Sequence, residues 1–85
     1  MNKKVIIYTS SLCGFCFRAK SFLKRKNIPY KEIDIDINYK KRSEMVKKSN
    51  GKTSVPQIFY KNLHIGGCED LFKLEEKNGL EIVKN

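Results

Sequence analysis

Cys13-Gly14-Phe15-Cys16 is the stretch of this sequence whose residue types and spacing can do chemistry. It follows Val5-Ile6-Ile7-Tyr8-Thr9, a β-branched and aromatic run that reads as a buried central strand, and it opens a helical pattern. A cysteine at such a junction meets unpaired backbone N–H groups and the positive end of the helix dipole. Both favour the thiolate, and cysteines so placed titrate at about 3.5–7.5 against a free value near 8.5. A second cysteine three positions on lies one helical turn away, close enough for the two sulfurs to bond with little backbone movement. Cys13 is therefore expected to be the exposed nucleophile and Cys16 the buried resolving thiol.

Two further segments suit the same chemistry. Pro56 stands at the head of a strand, and the residue before a proline avoids the helical region. A cis Val55–Pro56 bond would present the Val55 backbone beside Cys13, where an extended thiol peptide can add as a strand. Gly66-Gly67 ahead of Cys68-Glu69-Asp70 leaves backbone N–H groups uncovered at a helix start, a place for a carboxylate. Cys68 reads as a structural or modifiable thiol, and His64, with no visible carboxylate partner, as a surface histidine.

These segments need elements to hold them. Cys13 to Asn27 is helical, with Cys16, Ala19, Phe22 or Leu23, and the stem of Lys26 on one face and Arg18, Lys24 and Arg25 facing out. Ile28-Pro29 stops it. Tyr30 to Asp36 alternates, with Ile33, Ile35 and Ile37 on one side, as in a half-covered strand. Asn38 caps a second helix over Lys40 to Ser49, ended by Asn50-Gly51. Ser54 to Tyr60 is a strand, and Lys61-Asn62 turns it into a hairpin with Leu63-His64-Ile65. A last helix runs from Cys68 to Asn78-Gly79, and Leu80 to Val83 forms a short tail. The order βαβαββα implies an α/β fold with a right-handed parallel crossover and a four-stranded mixed sheet flanked by helices.

Composition narrows the class. Eighty-five residues make a single domain, 1–85, with one core. No run approaches the ~18 apolar residues of a membrane helix, and the apolar stretch after Met1-Asn2-Lys3-Lys4 is too short for a signal peptide. A cytoplasmic protein with no membrane partner is expected. Eighteen Lys and Arg against nine Asp and Glu give a net charge of +9. The basic residues are spread without an aromatic nucleic-acid signature. They read as a solvated surface that also steers anionic thiols, and no nucleic-acid partner is expected. Three cysteines are too few for a disulfide framework. A structural zinc would need a second pair where only His64 and Cys68 remain, so no metal is expected from the residues themselves.

Tyr8-Thr9 before the motif, Arg18-Ala19-Lys20, Ser54-Val55-Pro56-Gln57-Ile58-Phe59 and His64-Ile65-Gly66-Gly67-Cys68-Glu69-Asp70-Leu71 resemble the small bacterial dithiol glutaredoxins over nearly the whole chain. The resemblance implies a thioredoxin-like fold, glutathione as reductant, and disulfide-containing or glutathionylated proteins as substrates. It implies that Cys13 takes the glutathione sulfur and that Val55, beside Pro56, pairs with the cysteinyl backbone. Cys68 and Glu69 would give backbone N–H groups, and Asp70 would help at the γ-glutamyl end. Thr53 and Gly67 belong to the same expected set. Arg42 is the candidate for the glycyl carboxylate, and Phe15 stands where the family usually has tyrosine. Two positions depart from the family: Gly14 replaces the common proline, and Ser10 replaces a frequent lysine. Relatives with a small residue after the first cysteine hold a glutathione-ligated [2Fe-2S] cluster between two subunits. That makes Cys13 a possible cluster ligand, with a monomer expected otherwise and a dimer with the cluster.

Overall fold

The structure, a computed structural model, describes residues 4–77 and residue 79. Its elements are β1 (Val5–Thr9), α1 (Gly14–Arg25), β2 (Tyr30–Asp34), α2 (Tyr39–Lys48), β3 (Gln57–Tyr60), β4 (Leu63–Gly66) and α3 (Cys68–Glu76). The expected tail over 80–83 lies outside the described residues, as does residue 78 of the last helix. No described helix is long and apolar enough to cross a membrane.

The strands form one sheet in the order β2-β1-β3-β4. β1 runs parallel to β2 and antiparallel to β3, and β3 is antiparallel to β4. β1 is apolar or aromatic from Val5 to Tyr8 because both faces of the sheet are covered. Val5 and Ile7 join Ala19, Phe22 and Leu23 of α1, Ile58 and Tyr60 of β3, and Cys68 and Leu71 of α3 in one cluster. The alternate residues Ile6 and Tyr8 face the other way, into a cluster with Ile35, Met45 of α2 and Phe59. Each fully buried aliphatic here contributes about 1.5–3 kcal/mol through apolar surface removed from water. The result is a three-layer α/β sandwich that fixes the C-terminal end of β1.

The expected elements are present, with differences at their ends. β2 stops at Asp34, whose Oδ1 accepts the Asp36 N–H at 2.8 Å. That local bond bends the chain, so Ile35 is buried while Ile37 is 84% exposed instead of continuing the apolar side of a strand. β3 starts at Gln57, not Ser54, because pairing with β1 begins only at Tyr8 opposite Gln57. α1 starts at Gly14, with Cys13 as its N-cap in an extended conformation. Its buried face holds both Phe22 and Leu23, and Lys26 reaches Glu75 of α3 at 2.7 Å.

Candidate active site

Cys13 leaves β1 through the loop Ser10–Leu12 and caps α1. Its Sγ accepts the Cys16 backbone N–H at 3.1 Å, so an orphan donor of the first turn points at the sulfur. Cys13 and Cys16 are joined as a disulfide across a Cα separation of 5.2 Å. Cys13 is half-buried, where an exposed residue was expected, and Cys16 is buried. The loop before the motif is tied down from the far side: the Ser11 N–H donates to Asp36 Oδ2 at 2.9 Å. That bond holds the Asp36 carboxyl below its usual range. Asp36 was not anticipated as an anchor, since only the folded proximity of the two loops reveals it.

The Val55–Pro56 bond is cis. The Val55 carbonyl lies 3.8 Å from Cys13 Sγ, a contact and not a hydrogen bond, since the disulfide sulfur carries no hydrogen. Beside it opens a cleft of about 310 Å³ lined by Phe15, Ser54–Pro56 and Gly67–Asp70. One wall is the start of α1, one is the loop before β3, and the third is the N-terminus of α3. Phe15 is 56% exposed, and the Arg18 guanidinium lies 5.9 Å from its ring centroid, a cation–π arrangement.

One glycine of the pair is explained by geometry. Gly66 has a φ of +118°, and a Cβ there would run into the Asp70 carboxylate, so only glycine fits. The Gly67 N–H donates to Asp70 Oδ2 at 2.9 Å. This is half of a capping box, since Gly67 has no side chain to return the bond. Cys68 is buried at the base of the cleft, where burial pushes its thiol upward, away from thiolate chemistry.

Of the residues picked from the sequence, Phe15, Val55, Pro56, Gly67, Cys68, Glu69 and Asp70 come together around this cleft. Thr53 and Arg42 do not line it. Thr53 is exposed in the loop before β3, and Arg42 is exposed on α2, close enough to Asp36 to lower its carboxyl. Ser54 lines the cleft as well, although it was not among the expected site residues. His64 differs from the expectation of a surface histidine. It is half-buried, its Nε2 lies 2.7 Å from Gln57 Oε1, and its ring stacks on Phe59 at 4.7 Å.

A dithiol at a helix N-terminus, facing a cis-proline loop on a thioredoxin-like sheet, defines a thiol–disulfide oxidoreductase. Comparison with known proteins narrows the class. The glutaredoxin family model matches residues 5–65. Glutaredoxin 3 of Escherichia coli is 49% identical, with 91% of this chain and 92% of that protein covered. Glutaredoxin 1 of Rickettsia prowazekii is 44% identical over 95% of this chain and 90% of its own length. The solution structure of the Brucella melitensis glutaredoxin superposes with a TM-score of 0.81 at 43% identity, covering 95% of this chain and 88% of that one. The chain belongs to the glutaredoxin family.

Proposed function

We propose that this oxidoreductase is glutathione-dependent and reduces protein disulfides and glutathione mixed disulfides through Cys13, with chain 1–85 working as one domain in the cytoplasm. The observation that supports it best is the position of Cys13 Sγ. It accepts the first-turn N–H at 3.1 Å and lies 3.8 Å from the Val55 carbonyl at the mouth of the cleft. A thiolate there is stabilised by the helix end. An extended thiol peptide laid along Val55 would bring its sulfur to Cys13 while its carboxylate reaches the N–H groups of Cys68 and Glu69. Phe15 and Pro56 would cover its apolar part. Arg42 and Thr53, outside the cleft, remain outer contacts for a glycyl carboxylate.

The reaction follows from thiol–disulfide exchange. The Cys13 thiolate attacks the glutathione sulfur of a mixed disulfide, and the protein thiolate that leaves takes up a proton. A second glutathione thiolate then attacks the Cys13–glutathione bond, releasing glutathione disulfide and restoring the Cys13 thiolate. On a protein disulfide, the Cys13 thiolate attacks one sulfur and releases the other as a thiolate that takes up a proton; Cys16 then loses its proton and attacks the Cys13 sulfur of the mixed disulfide. This frees the reduced substrate and leaves the Cys13–Cys16 disulfide, which two glutathione molecules reduce. With glutathione, glutathione reductase and a glutathionylated protein, Cys13→Ser is expected to be inactive and Cys16→Ser active. Loss of activity in both refutes the division of roles. Turnover with thioredoxin reductase but not with glutathione refutes the choice of reductant.

A second reading of the same site is a [2Fe-2S] cluster shared by two chains. Among the described residues no three His, Cys, Asp or Glu come together. In this reading one chain offers Cys13, and the other ligands would be a second Cys13 and two glutathione thiolates. The open space around Gly14, where a Cβ would meet nothing within 4 Å, favours this reading by leaving the approach to Cys13 uncovered. A coloured dimer on anaerobic purification with glutathione supports it, and a colourless monomer refutes it.

A further inference from the structure

Whatever pairs with the Val55 backbone needs that backbone held still, yet the segment carrying it precedes the sheet. Pairing of β3 with β1 begins at Gln57, and residues 52–54 are exposed. Gln57 supplies an anchor from inside. Its side chain is 4% exposed, and its Nε2 donates to the Ser54 carbonyl at 3.1 Å and lies 3.4 Å from Ser54 Oγ.

We propose that His64, acting through Gln57, is a positioning residue that sets the Ser54–Val55 backbone at the mouth of the cleft; this rests on the glutathione reading above. The chain of bonds has one consistent polarity. The Ser54 carbonyl only accepts, so the Gln57 group facing it is the NH2. The amide oxygen must then face His64, 2.7 Å from Nε2. An amide oxygen also only accepts, so Nε2 carries the hydrogen. The tautomer of His64 is thus dictated by a carbonyl two links away, next to Val55.

The ring that supplies this donor is itself fixed. The hairpin register sets Phe59 opposite His64, and the two rings stack at 4.7 Å with an interplanar angle of 21°. Phe59 in turn meets Tyr8 edge-on at 5.6 Å, so the histidine rests on the core. Removing the donor takes the hydrogen-bond partner from the amide oxygen of the buried Gln57, which costs the net worth of that bond. The Gln57 amide keeps its NH2 toward the Ser54 carbonyl but is then held at one end only, and the clamp on the backbone ahead of Val55 loosens. His64 does not line the cleft that holds Phe15 and Val55. The effect therefore falls on substrate binding and not on the sulfur chemistry.

His64→Phe keeps a ring for the stack and removes the donor, whereas His64→Gln places an amide N–H near the position of Nε2. The loss of one net hydrogen bond predicts a KM for a glutathionylated peptide raised about three- to tenfold in His64→Phe. kcat and the pH profile of Cys13 alkylation should stay unchanged, and His64→Gln should return KM to within about twofold. An unchanged KM in His64→Phe, a matching fall in kcat, or a His64→Gln as impaired as His64→Phe overturns the relay. A measurement on the unsubstituted protein needs no variant to fold: 15N NMR should find neutral His64 protonated at Nε2, and protonation at Nδ1 overturns the proposal. Failure of the unsubstituted protein to saturate with glutathionylated peptide refutes the glutathione reading, and the relay's function with it. The NMR tautomer, read separately, tells the two failures apart.

Discussion

Asp70 has two duties in this site, and they can be separated. Its Oδ2 accepts the Gly67 N–H at 2.9 Å, which closes the entry to α3, and its negative charge sits at the positive end of that helix. In the proposed complex the same carboxylate would meet the ammonium of the γ-glutamyl group. Asp70→Ala removes the acceptor and the charge together. A lost cap costs typically ~1 kcal/mol, and for a domain of this size that lowers the melting temperature by about 4–8 °C. Asp70→Asn keeps an acceptor oxygen for the Gly67 N–H and removes the charge alone. Because Asp70 is exposed and Glu69 keeps one acidic residue in the first turn, the cost is at the low end of the dipole effect, ~0.3 kcal/mol. That corresponds to about 1–2 °C.

The binding duty predicts a different ranking. An exposed ion pair is worth at most about 1 kcal/mol, so Asp70→Asn should raise KM for a glutathionylated peptide by up to about fivefold despite its near-normal melting. Asp70→Ala should raise it at least as much, because the N–H groups of Cys68 and Glu69 then sit on a loosened helix start. Calorimetric melting of the oxidised proteins and saturation kinetics with the same peptide give the two readouts. Asp70→Asn melting as low as Asp70→Ala would show that charge, not the hydrogen bond, holds the helix start. Unchanged KM in Asp70→Asn would remove Asp70 from the binding set.

Two further expectations concern stability. The Glu32 carboxyl is held low, first by the Thr9 hydroxyl and then by Lys20, and the Glu44 carboxyl first by the Tyr8 hydroxyl and then by Lys41. Folded values below unfolded ones give stabilisation that is present above the ordinary carboxylate range and lost as pH falls through the folded values. Urea midpoints should therefore drop from about pH 5 downward, and Glu32→Gln should flatten that drop; a parental midpoint independent of acid would refute it. Gly14→Pro should fold normally and melt about 2–8 °C higher. Gly14 is the first helical residue, a Cβ there meets nothing, and Cys13 before it is already extended, with φ −136° and ψ 103°. A lower melting temperature would show that the glycine serves the fold.

What the sequence disclosed, and what it withheld, divides by the range of the interaction. β1 could be read because a strand covered on both faces needs apolar or aromatic residues on both. The pairing of Cys13 with Cys16 could be read because one helical turn separates them and no other element sets that distance. The glycine pair before α3 was legible as a turn. The reason for Gly66, the Asp70 carboxylate folding back over it, depends on a side chain four residues on. Beyond that range the signal fades. Ile37 continues the period of Ile33 and Ile35, but the Asp34–Asp36 bond turns it outward, and periodicity carries no record of that bend. The amide of Gln57 and the ring of His64 are seven positions apart, in separate segments with no spacing that pairs them. They meet because a hairpin register brings β4 beside β3, and their partner, Ser54, belongs to a loop that sequence pattern assigned to the strand. Gly14 marks the opposite case. It is plain in the sequence, and the fold makes no demand for it, since a larger residue would meet empty space. Its effect must therefore lie in the freedom of the turn or in whatever approaches Cys13 from outside. That is why substitution at Gly14 is expected to change stability slightly and the reach of the site more.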